Sequence, residues 1–219
     1  LNAAEQLMNA MRKEDGTFRT YDEMVADGIA TKYTGIFDTT GMTTDLDTNT
    51  GQGDPTAEYT FGAFLAEVEV DITTGKTKVL SMKCVADVGV IGNIVSVDGQ
   101  AYGGMMHGIG MALSENYEDL KKHTTLAGSG FTFIDMVPDD LTTEYVVSPR
   151  PTGPHGSSGC AELFQTSPHV AIINAIYNAC GVRIYELPAT PEKVKAALEA
   201  KARGEEIKPK KYFLGSDLH

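Results

Sequence analysis

Residues 64 to 88 restrict the fold more than any other part of the chain. Apolar and polar residues alternate from Phe64 to Ile72, the chain turns at Thr74-Gly75, and alternation resumes from Val79 to Val88. A period of two puts every second side chain on the same face of a strand, so this stretch predicts a β-hairpin with one buried face. A helical pattern follows. Asp98 is placed to cap it, and Ala101, Met105, Ile109, Ala112 and Leu113 form its apolar side. Gly103, Gly104, Gly108 and Gly110 each cost roughly 1 kcal/mol relative to Ala inside a helix. Something must therefore pack very close to it, either a neighbouring helix or strand, or a ligand.

The remaining elements are shorter. Residues 2–13 read as a helix with Ala4, Leu7, Met8 and Met11 on one face. Residues 15–57 read as irregular, with a helical patch near Tyr21–Ala26; so long a loop points to function or to a missing contact. Thr142 to Val147 reads as a strand stopped by Pro149 and Pro151. Thr166 or Ser167 is placed to cap a helix with Pro168 at its first position. Val170, Ile173, Ile176, Tyr177 and Cys180 form its expected buried face, and Gly181 closes it. Arg183–Leu187 reads as a short strand, and a last helix runs from a Thr190 cap to Gly204. The strands and helices mix without βαβ regularity, so the expected class is α+β. The expectation is one domain over 1–219, with a lead-in at 1–57, a core at 58–204 and an extended tail at 205–219.

Bulk properties exclude some partners. The 219 residues are 42% hydrophobic and 22% charged, with a formal charge of −12. That charge argues against nucleic acid, where cationic side chains supply much of the affinity, and against an anionic membrane surface. No apolar run is long enough to span a bilayer. Cys84, Cys160 and Cys180 lack the CxxC spacing of a zinc or iron–sulfur motif, and the five histidines show no metal-ligand spacing. Reduced thiols in a cytoplasmic protein are expected. The first residue is Leu and no apolar leader precedes the first helix, so the chain reads as a fragment of something longer.

The segment GPHGSSGCAELFQTSPHVAIINAIYNACG, residues 153 to 181, sets a glycine-rich loop, Glu162 and an apolar helix in succession. Glycines allow close backbone approach to a ligand and expose N–H groups to it. A carboxylate beside such a loop can take a proton from a bound group. Alternatively, Glu162 occupies the first turn of a helix, where the dipole favours an acid. A third possibility is a Cys160 nucleophile served by His155 or His169, although neither histidine carries a signature.

The segment GSSGCAELFQTSPHVAIINAIYNACG resembles the catalytic segment of the molybdenum hydroxylases, the xanthine dehydrogenase and aldehyde oxidoreductase family. KCVADVGVIGNIVSVDGQAYGGMMHGIGMALSENYEDL resembles that family's second characteristic segment, a strand ending in Asp-x-Gly followed by Gly-Gln and a Gly-rich helix. The order and distance of the two segments also fit, over roughly residues 52 to 200, and the resemblance leans towards bacterial aldehyde oxidoreductases. It implies that the chain is the last part of a molybdopterin-binding region. It further implies that Glu162 matches the catalytic glutamate, a general base in oxidising an aldehyde to a carboxylic acid. Gln100 matches a glutamine touching the pterin, and Ser158, Gly159, Cys160 and Ala161 match the loop lying against the cofactor. The implied cofactor is molybdopterin cytosine dinucleotide with molybdenum. Iron–sulfur clusters and upstream cofactor loops would belong to missing domains or subunits, and the fragment would be inactive alone. A homodimer of the parent is compatible with this picture. A non-catalytic structural or interaction module derived from the same family is the alternative.

Overall fold

A computed structural model describes residues 2–205 and 207–209; the expected extended tail at 206 and 210–219 lies outside them. Packing divides the chain between Tyr59 and Thr60 into two compact units. The first carries α1 (Asn2–Met11) and α2 (Tyr21–Ala26). Thr20 caps α2 reciprocally: its hydroxyl accepts from the Glu23 N–H, and the Glu23 carboxylate accepts from the Thr20 N–H at 2.7 Å. The Lys13 ammonium donates to that carboxylate at 2.8 Å and holds its pKa down at about 2. Beyond α2, the unit is a series of turns, in which Asp38 and Asp47 accept from the N–H groups that follow them.

In the second unit, β1 (Phe61–Val70) and β2 (Thr77–Asp87) form the expected antiparallel hairpin. Its turn is closed by Asp71, whose side chain accepts from the Thr73 N–H at 2.8 Å and the Thr74 hydroxyl at 2.8 Å. The register shifts between Glu67 and Val68, which pair with Ser81 and Val79. This bulge lets Val79 and Met82 both turn inward, although the two are not an even number of residues apart. Strand β3 (Asp140–Tyr145) then pairs with β2 in parallel, giving the order β1-β2-β3. The intervening helix α3 (Ile94–Leu113) makes β2-α3-β3 one βαβ crossover inside an α+β domain. The strand begins and ends earlier than expected, and Val146 and Val147 are exposed.

Helices α3 and α5 (Pro168–Cys180) lie against the sheet, α4 (Ala161–Thr166) packs chiefly on α3, and α6 (Pro191–Ala202) adds Val194 and Ala197 to the shared core. Met82, Met105, Phe164, Ile172, Ile176 and Val194 are fully buried between the layers. Each contributes roughly 1.5–3 kcal/mol of gross burial energy. Asn93, not Asp98, caps α3, accepting from the Ser96 N–H at 3.0 Å. Asp98 lies inside the helix, where it accepts a 2.7 Å bond from the Tyr145 hydroxyl and ties α3 to β3. Neither Thr166 nor Ser167 caps α5 with its side chain; the Thr166 hydroxyl turns back to the Leu163 carbonyl at 2.9 Å. The buried positions of α5 are Pro168, Ile172 and Ile176, while Val170 and Tyr177 face outward. Arg183–Leu187 is not a strand. The Lys193 ammonium takes the carbonyls of Glu186 and Leu187, both at 3.4 Å, where a neighbouring strand would have donated.

The α3 glycines divide into two kinds. A Cβ on Gly104 would lie 2.6 Å from Phe164 Cβ and 2.8 Å from its carbonyl carbon, and one on Gly108 would lie 2.5 Å from Pro168 Cβ. Gly103 meets nothing within 4 Å. The neighbour that needs the space at 104 and 108 is therefore the α4–α5 pair. Gly104→Ala should lower stability by about 1–3 kcal/mol through overpacking. Gly103→Ala should raise it by up to about 1 kcal/mol through helix propensity. Urea midpoints of both variants check this pair of opposite signs.

Candidate functional site

The glycine-rich loop hangs from the C-terminal end of β2. The Ser158 N–H donates to the Val88 carbonyl at 3.0 Å, and the Val90 N–H donates to the Gly156 carbonyl at 2.9 Å. The same Gly156 carbonyl accepts from the Arg150 N–H at 2.9 Å, and the Ser157 hydroxyl donates to the Val90 carbonyl. Gly89 makes this close approach possible. Its φ is +75°, and a Cβ there would collide with the Gly156 carbonyl oxygen.

An ion pair that sequence reasoning missed reinforces the junction. Arg150 Nη2 lies 3.1 Å from Asp87 Oδ1, with side-chain exposures of only 8% and 16%. The guanidinium also donates to the Asp87 carbonyl at 3.0 Å and the Ser148 carbonyl at 3.0 Å. Burial of Asp87 opposes its charge, but hydrogen bonds from the Gly89 N–H, Ser148 and Arg150 outweigh it, and the carboxyl sits below its ordinary value of 3.8. The available signals were weak: an Asp-x-Gly at a strand end, and one arginine between two prolines.

After Ser158 the chain enters α4 at Cys160, its N-cap, with Ala161 and Glu162 in the first turn. Glu162 is exposed. Among the described residues its carboxylate has no hydrogen-bonding or ionic partner. Phe164, in the same helix, is buried against Gly104, so the glutamate stands between two anchored points. Gln100, exposed on α3, lies one turn before Gly104 on the stripe that continues to Gly108. Gly104 faces Phe164 and Gly108 faces Pro168. This spacing puts Gln100 towards the end of the α3–α4 pair where the loop enters.

The loop residues differ in setting. The Ser158 hydroxyl is buried without a hydrogen-bond partner. Gly159 is exposed, with no atom within 4 Å of the position a Cβ would take. Burial raises the pKa of the Cys160 thiol, away from the nucleophilic thiolate. No hydrogen bond joins Cys160 to a histidine among the described residues. His169 Nδ1 is buried and unpartnered, and burial lowers its pKa. His155 is exposed, with a left-handed φ of 53°. These positions do not assemble a Cys–His pair.

Residues 1–138 match the molybdopterin cofactor-binding domain family. The chain is 53% identical to the aldehyde oxidoreductase of Megalodesulfovibrio gigas over 90% of its own length and 22% of that protein. The solved structure of the Desulfovibrio gigas aldehyde oxidoreductase, activated with dithionite and sulfide, superposes with a TM-score of 0.84, covering 90% of this chain and 22% of that one. The aldehyde oxidoreductase of Desulfovibrio desulfuricans superposes with a TM-score of 0.78 at 51% identity, covering 89% and 21%. The chain thus spans about a fifth of the length of these relatives, and the alignments to them extend beyond the family match.

The Arg150–Asp87 pair has an acid limit. Because the folded carboxyl lies below 3.8, its contribution is complete above that value and is lost as pH falls below it. Asp87→Asn should cost about 1–3 kcal/mol at neutral pH. The gap between the variant and the parent should narrow below pH 3.8. Urea denaturation across pH measures the gap directly.

Proposed function

This chain belongs to the molybdopterin cofactor-binding domain family, and from that footing we propose that it is part of a molybdenum-dependent aldehyde oxidoreductase. In this reading Glu162 is the general base, and Gln100, Ser158, Gly159, Cys160 and Ala161 lie against the cofactor. The observation that carries it is the Glu162 carboxylate, exposed and unpartnered at the end of a loop fixed on both sides.

The residues present suit a polar, planar ligand edge. The buried Ser158 hydroxyl has an unused donor, Gly159 leaves its Cβ space open, and Gln100 offers both a donor and an acceptor. When bound, the molybdenum cofactor supplies the two-electron redox chemistry that takes an aldehyde to a carboxylic acid. The chain's own part is proton handling and placement. A Glu162 Oε atom receives the proton of the attacking water as its oxygen adds to the aldehyde carbon. The latched loop sets the carboxylate's position, and the Gly159 opening lets the ligand approach the backbone. The cofactor is read as the cytosine dinucleotide form. The upstream part of the molybdenum-binding region and the iron–sulfur clusters are read as belonging to other domains or subunits, in keeping with the fifth of the relatives' length spanned here. Turnover is accordingly assigned to that assembly and not to this chain alone, and the setting is read as cytoplasmic. Among the described residues no helix is long and apolar enough to cross a membrane.

In the molybdenum-loaded parent, Glu162→Gln should lower aldehyde turnover per bound metal by roughly 10²–10⁴. Molybdenum content and melting temperature should hold. If Glu162 serves only the helix end, activity will be kept and stability will fall by about 1 kcal/mol or less. Full turnover in the variant would end the assignment.

A further inference from the structure

We propose that Arg150, acting through Asp87, is the positioning residue that holds the glycine-rich loop to the end of β2 and so sets where Glu162 stands; the second half of this inference rests on the function proposed above. Arg150 fastens the loop twice. Its backbone N–H donates to the Gly156 carbonyl at 2.9 Å, inside the turn of the loop. Its guanidinium reaches the Asp87 carboxylate at 3.1 Å and the Asp87 carbonyl at 3.0 Å, across 63 residues of sequence. One residue thereby joins the strand end to the loop turn. The Gly156 carbonyl is shared with the Val90 N–H, so displacing Arg150 disturbs the ladder on which Ser157 and Ser158 also hang.

The chemistry of the pair favours orientation over simple stability. Desolvating two charges costs nearly what their attraction returns, and apolar residues of similar volume often serve stability as well. What a guanidinium adds is a planar fork that fixes direction, which an ammonium cannot copy. Both partners are almost fully enclosed, where the fork is least free to turn. Glu162 itself makes no contact that would fix it among the described residues. Its position is inherited from Ser158 on one side and Phe164 on the other. The Phe164 side is a packing contact against Gly104. The Ser158 side depends on the Arg150 latch.

The test uses the full-length, molybdenum-loaded protein with Arg150→Lys, Arg150→Met and Asp87→Asn. Amide exchange over residues 153–162 should speed up by about tenfold or more beyond any change in α3 and α5, whose protection falls only as far as global stability does. The turnover number should fall by about tenfold to 10²-fold per bound metal, as expected for a misplaced group, with KM for the aldehyde unmoved. Arg150→Lys, which keeps the charge and loses the fork, should behave like Arg150→Met. Unchanged loop exchange in all three variants overturns the latch, as does faster exchange spread evenly over the domain. Selective loosening with full turnover overturns the link to Glu162. Selective loosening in a protein whose Glu162→Gln form is also fully active leaves the latch standing and removes the proposed base.

Discussion

The second unit depends on a close approach of α3 to the chain at Phe164 and Pro168. With no Cβ at 104 or 108, α4 and the start of α5 settle directly on the α3 backbone. That contact buries Phe164 and sets the line along which α5 continues to Ile172 and Ile176 over β1. A larger residue at either position would push the second layer off the first. It would also separate Gln100 from the loop that leads into α4. Packing and the candidate site are thus a single constraint.

The second constraint runs the other way, from the sheet. The end of β2 is extended backbone with groups left to bond, and the loop at 150–158 takes them up. Glu162 is held by neighbours and not by bonds of its own.

Much of this was legible in the sequence where periodicity governs. The hairpin, the apolar side of α3 at Ala101, Met105, Ile109 and Ala112, and the Thr190 cap all follow local rules. The failures occur where a distant group decides. Asp98 reads as a cap because it precedes the apolar side, but Tyr145 claims it. Asn93 caps α3 ahead of Ile94 and Val95, whose β-branched side chains are weak helix formers and hide the start. Arg183–Leu187 has strand composition, but a lysine and not a strand takes its carbonyls. The face of α5 is rotated because Pro168 seats on Gly108, a contact that helical spacing within α5 cannot reveal. The Asp87–Arg150 pair is 63 residues long in sequence and has no local signature at all.

The pairing of β2 with β3 carries a consequence for the cost of assembling the chain. Ser81 meets Asp140 across 59 residues, and the loop meets Asp87 and Val90 across 63 and 67. The β1–β2 hairpin, by contrast, closes within one short turn. Joining distant segments costs chain entropy before contact energy returns it. The hairpin closes through short-range contacts, and the segment bearing Glu162 carries long-range ones with the larger closure cost. The part of the chain that carries the candidate site is therefore also the part whose place costs the most chain entropy to set.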